Sequence, residues 1–229
     1  MVKFSLSEFR DLVISMAVIA LAFTILFRNE VDGNYLLLIS AVLIGIVPGF
    51  LFHELAHKFM AIRYGLDAEF KMSMHGLFLA LVGSVMGIIL AAPGAVYVNL
   101  GQSKDQLRDH LIYETKEGKI AIVGPLVNIF LAVLFGALSI VSVIVGHFTT
   151  DISYNIYMLN NSFWGYIYFI GFIGFIINST MAAFNMLPVF ILDGAKVYDW
   201  NKKVWGLVAA VSFLMGGPVY LWMFGVISI

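Results

Sequence analysis

Two histidines four residues apart, with a glutamate beside the first, are the side chains of this 229-residue chain best spaced to do chemistry: His53-Glu54-Leu55-Ala56-His57. On a helix, positions i and i+4 share a face. Both imidazoles can then aim at one ion, and Glu54 is placed to take a proton from water bound to it. Chance placement in a chain of this composition yields the pattern on the order of 0.003 times. The competing reading is a polar cluster that happens to end a membrane helix. Ionisable groups at membrane depth are costly and generally functional, which favours metal binding. Catalytic zinc typically has three protein ligands and one position open to water. The chain has no cysteine, which excludes disulfides, thiolate catalysis and cysteine zinc sites and leaves His, Asp or Glu as the third ligand. His110 lies in the charged stretch 104–119 and reads as solvated, while His75 and His147 flank apolar runs and read as interfacial. The strongest acidic candidate is Asp193. It ends the longest stretch without charge, 152–192, just after Pro188, which ends or kinks a helix, and just before Gly194, which frees the backbone.

These residues need elements to hold them. The chain is 61% hydrophobic and 12% charged, about half the charge of an ordinary soluble domain. A net charge of −1 offers no basic surface for nucleic acid. Stretches without Asp, Glu, Lys or Arg cover 12–27, 33–53, 72–103, 120–150, 152–192 and 204–229, and a bilayer crossing needs about 20 apolar residues. The chain is therefore expected to be an integral membrane protein whose first apolar run is a retained span. If all six stretches crossed, His57 and Asp193 would lie near opposite faces of a core roughly 30 Å thick. If 72–103 enters and returns instead, they share a face. Residues 77–91 would make a helix of only about 22 Å, glycines interrupt it, and Ala95–Val98 is short and β-prone. The returning arrangement also puts twelve of the 13 Lys and Arg on one side and Arg28 alone on the other, an asymmetry that marks the cytoplasmic side.

The expected fold is an all-α polytopic membrane protein with five to six transmembrane helices and a re-entrant helix–β-strand element between the second and third core spans. Residues 1–229 read as a single membrane-embedded domain. The spans are about 11–28, 34–62, 120–146, 163–190 and 204–228, with the re-entrant unit over 72–103. The N-terminus and the site face the cytoplasm of a cell membrane.

Three motifs in order resemble the site-2 proteases, the intramembrane zinc metalloproteases: His53-Glu54-Leu55-Ala56-His57, then Val123-Gly124-Pro125-Leu126-Val127-Asn128, then Asn185-x-x-Pro188-x-x-x-Leu192-Asp193-Gly194. The resemblance implies one zinc ion per chain held by His53, His57 and Asp193, with Glu54 as general base. It implies that Asn128 and Asn185 line the site or hold substrate. Ala56 and Ala195 stand where the family often has glycine, and neither change removes a ligand. No PDZ or CBS module accompanies the motifs, so regulation of that kind is expected to be absent or supplied by a partner chain. The expected partners are membrane-spanning protein substrates and the lipid bilayer. A helical substrate hides its carbonyls, so cleavage needs it unwound, and Val96 and Tyr97 lie on a segment that could pair with it as a strand or merely line the cavity. Gly171 and Gly174 supply close helix packing or, with Asn185 and Pro188, a mobile gate. The alternative function is a divalent-metal transporter using the same His/Asp cluster. Transporters often show internal repeats, and no second H-E-x-x-H occurs.

Overall fold

The computed structural model describes residues 4–30, 33–89, 93–99, 106–149, 162–189 and 191–226. Among them, five helices are long and apolar enough to cross a membrane. Helix α1 covers Leu6–Leu26, and α2 covers Tyr35–Arg63. Strand β1 (Asp67–Met72), the short helix α3 (Met74–Val85) and strand β2 (Gly94–Asn99) follow. Helices α4 (Gln106–Ala121) and α5 (Val123–Thr149) run almost end to end. Helix α6 is Phe163–Asn185, α7 is the short Asp193–Trp200, and α8 is Lys202–Met223. The protein is thus an all-α integral membrane fold carrying one small sheet.

Polar caps start these helices where the apolar runs begin. Ser5 accepts the Glu8 amide at the head of α1, Ser162 accepts that of Gly165 before α6, and Asn201 accepts those of Lys203 and Val204 before α8. Each satisfies an amide that a helix start leaves without a partner. Small residues then let the helices approach, as membrane bundles require in the absence of a hydrophobic drive between helices. A β-carbon on Gly45 of α2 would sit 3.1 Å from the Gly174 Cα of α6. One on Gly174 would strike the Phe135 ring, and one on Gly171 would come within 2.7 Å of the Phe135 carbonyl. The two α6 glycines therefore serve close packing against α2 and α5. Around these contacts lies a core that includes Ile19, Phe23, Leu38, Ile46, Phe50, Ile173 and Ile177, all essentially inaccessible. Helix α6 is the most enclosed of the five long helices, whereas α5 and α8 turn rows such as Phe130, Leu134, Ile140 and Leu207, Leu214, Leu221 outward.

The strands β1 and β2 pair antiparallel, with Met72 opposite Gly94 and Phe70 opposite Val96. The chain therefore returns after α3 to the level it left. At 12 residues, α3 is about 18 Å long, too short to cross, so the re-entrant unit is present. Three features depart from the sequence expectation. The strand at Ala95–Val98 has a partner, β1, whose Asp67-Ala68-Glu69-Phe70-Lys71-Met72 reads as a polar exit from α2; of its six residues only Phe70 is buried. The fourth span stops at Asn185 rather than 190, because the chain turns ahead of Pro188. The polar stretch before the third span is largely the helix α4.

Candidate metal centre

Helix α2 delivers His53 and His57 one turn apart, and the start of α7 delivers Asp193 to the same point. The two Nε2 atoms are 3.0 Å apart. An Asp193 oxygen lies 3.2 Å from His53 Nε2 and 3.1 Å from His57 Nε2. All three side chains are buried, and their donor atoms form a group that could hold a metal ion. The orientation of the rings decides what the triangle is for. His57 Nδ1 lies 2.7 Å from the Ile120 carbonyl, which can only accept, so that nitrogen carries the proton. His53 Nδ1 faces the Asn128 side-chain oxygen and must donate as well. Both Nε2 lone pairs then converge on a carboxylate oxygen, an arrangement that repels unless a positive charge lies among them. Tetrahedral zinc with nitrogen and oxygen ligands at roughly 2.0–2.2 Å needs ligand atoms about 3.3–3.5 Å apart. The observed triangle is close to that size, and its two neutral imidazoles and one carboxylate are a donor set that zinc accepts.

Two glycines make the triangle sterically feasible. A β-carbon on Gly124, at the start of α5, would fall 2.6 Å from His53 Nε2 and nearer still to His57 Nε2. Only hydrogen at this position keeps space beside the donor nitrogens. A β-carbon on Gly194 would fall 2.6 Å from the Leu187 carbonyl. The glycine after Asp193 is needed because α7 starts hard against the turn that ends α6. Conformational freedom is not the reason, since Gly194 is absent from the positive-φ glycines Gly33, Gly65, Gly87 and Gly225.

Glu54 and the remaining sequence candidates fall into two groups. A cavity of about 430 Å³ is walled by His53, Glu54, His57, Asp193 and Asn185 on the helix side and by Ala95–Val98 of β2 on the sheet side. Val96 and Tyr97 therefore border the same cavity as the histidines. Glu54 is buried, and its Oε2 has no hydrogen-bond partner among the described residues, a costly state for a carboxylate oxygen. Asn185 lies on the wall and donates to the Met181 carbonyl at 3.1 Å.

Asn128 departs from the expectation that it lines the site. It is fully buried behind His53, and its amide donates to the Gly49 carbonyl and to the Asn178 side-chain oxygen, both at 3.0 Å. Asn178 in turn donates to the carbonyls of Gly174 and Gly45 at 2.9 and 3.3 Å. The two amides form a relay across α2, α5 and α6 that orients the His53 ring. Sequence reasoning missed Asn178. The signal was an amide in the middle of a charge-free span, where a polar side chain must find a partner. His75 is exposed on α3, away from the cluster; the side chains of His110 and His147 lie outside the described residues.

The description Peptidase family M50 matches residues 41–201 of this chain, a segment that takes in α2 with its histidines, the sheet, Asn128 and Asp193. The chain belongs to Peptidase family M50. This is the site-2 protease family, and M50 membership makes the protein a membrane-integral metallopeptidase. A protein of Methanocaldococcus jannaschii, provisionally named as a zinc metalloprotease, is 36% identical over 221 residues, covering 96% of each chain. No solved structure matches. An M50 peptidase implies zinc, which agrees with the donor triangle, and membership weighs against the metal-transport alternative.

Proposed function

We propose that this M50 peptidase hydrolyses peptide bonds in membrane-spanning segments of other proteins, close to the cytoplasmic face. His53, His57 and Asp193 would hold one zinc ion, and Glu54 is the general base. When bound, zinc lowers the pKa of a coordinated water towards about 7 and polarises the carbonyl to be cut. Glu54 accepts the proton as the water oxygen adds to the carbonyl carbon, then delivers it to the amine as the C–N bond breaks. Its position beside His53, with one oxygen unpartnered in the cavity, suits that two-way transfer. Asn128 and Ile120 keep each ring proton on Nδ1 and so keep both Nε2 atoms available. Strand β2 receives the substrate in extended form, with Val96 and Tyr97 along it and Asn185 on the opposite wall.

The observation that carries this reading is the convergence of three lone-pair donors on one point, with a carboxylate oxygen that has no partner among the described residues in the same cavity. The Lys and Arg asymmetry supports a cytoplasmic site. The test is to purify the protein, measure its zinc, and follow cleavage of a membrane-spanning substrate by wild type and Glu54→Gln. Retained zinc with lost cleavage in the variant is expected. Undiminished cleavage by Glu54→Gln would reject the base assignment.

A further inference from the structure

Helix α1 lies entirely outside the matched residues 41–201, yet it carries two carboxylates that grip the sheet beside the metal centre. Glu8 is almost completely buried and accepts the Phe70 backbone amide at 3.2 Å. Both its oxygens accept from Lys58 Nζ, one at 2.6 Å. Lys58 directly follows His57 and is itself buried. One turn along α1, Asp11 accepts the Met72 amide at 3.2 Å. At the head of α1, Ser5 donates to the Glu69 carboxylate at 2.6 Å and Ser7 to the same oxygen at 3.3 Å.

Phe70 and Met72 are alternate residues of one strand, and both amides point at α1. In an antiparallel ladder alternate residues bond across, so the bonds from β1 to β2 fall on the intervening Glu69 and Lys71. The outer edge of β1 would otherwise template another strand. Glu8 and Asp11 occupy it in place of one. The opposite edge of the sheet belongs to β2, whose Ala95–Val98 line the cavity.

We propose that Glu8 and Asp11 are positioning residues for substrate. They close the outer edge of β1, and Glu8, through Lys58, ties the sheet to the helix that carries the histidines. Among the described residues, an extended substrate is left one open edge of the sheet, that of β2, which lines the cavity of the metal centre. The kinetic part of this inference rests on the cleavage reading above; the structural part does not.

The test compares two double variants of the full chain in lipid nanodiscs. Glu8→Gln/Lys58→Met removes both charges but keeps an acceptor for Phe70. Glu8→Leu/Lys58→Met removes the acceptor too. Amide exchange at Phe70 is expected to quicken by about tenfold or more in the leucine variant and to stay near wild type in the glutamine variant. Both variants keep their zinc. For a membrane-spanning substrate, KM is expected to rise about tenfold in the leucine variant alone, with kcat changed by less than about twofold. An ion pair serving stability only predicts that the two double variants behave alike, and that result overturns the proposal. Should the leucine variant not fold, Asp11→Ala decides at Met72: unchanged exchange there overturns the proposal, and faster exchange with raised KM supports it. A wild type that cuts no membrane segment would reject the cleavage reading, while the exchange data still decide the clamp.

Discussion

Behind the histidine pair the supporting groups are neutral, and in front of it they are charged. The rear support for His53 is the amide relay Asn128–Asn178, which ends on the Gly45, Gly49 and Gly174 carbonyls of two membrane helices. The front support is the Glu8–Lys58 pair with Asp11, which ends on the backbone of β1. The difference follows from depth. In the bundle interior a charge is expensive, whereas an amide can satisfy its donors and its acceptor with neighbouring helix carbonyls. Where α2 ends and the sheet begins, a paired carboxylate and ammonium become affordable, and a carboxylate can bind several backbone amides at once. The rear group thus orients a ligand, and the front group holds a surface in place.

The sharpest break of this contrast touches neither support. Asp193→Ala or His57→Ala is expected to abolish stable zinc binding, read as metal content of the purified protein. Gly124→Ala is expected to reach the same result with every donor still present, because its methyl would occupy space beside both Nε2 atoms. A Gly124→Ala protein with full zinc would show that α5 can shift away from the histidines. Next in size, Glu54→Gln is expected to lower cleavage by about 10²–10⁴-fold at unchanged zinc content. Smaller again, Asn128→Ala is expected to weaken zinc affinity by about 10–100-fold, as removal of an outer partner of a ligating histidine does; competition with a chelator measures it. Asn178→Ala, one bond further back, should weaken it less than Asn128→Ala does. Equal losses would mean that the relay acts as one rigid unit. The rear variants should leave KM for substrate largely unchanged and the front variants should leave zinc unchanged, so a crossover in either direction would erase the contrast.

Much of this centre was legible in the chain. The four-residue spacing put His53 and His57 on one helix face, and the charge-free runs marked the membrane helices. The distribution of lysine and arginine favoured a return of 72–103 to its own side. Strand β1 was not legible, because its outward charges resemble a solvated helix exit and its single buried residue is too little for an alternation pattern. Asn128 was singled out but placed wrongly, on the wall instead of behind His53. No pattern within α5 shows which face of that helix meets α2.

Residue spacing and composition determined the local facts: which side chains share a helix face, which segments prefer lipid, and where proline and polar caps end a helix. These depend on covalent geometry and on transfer from water, both of which act within one or two turns of chain. The sequence nominated Asp193, but tertiary structure alone decided that its carboxylate meets both histidine nitrogens, that Gly124 must lack a side chain, and that Glu8 reaches both Lys58 and Phe70. Such contacts join elements far apart in the chain, and only the packing of helices against one another sets the distances between them.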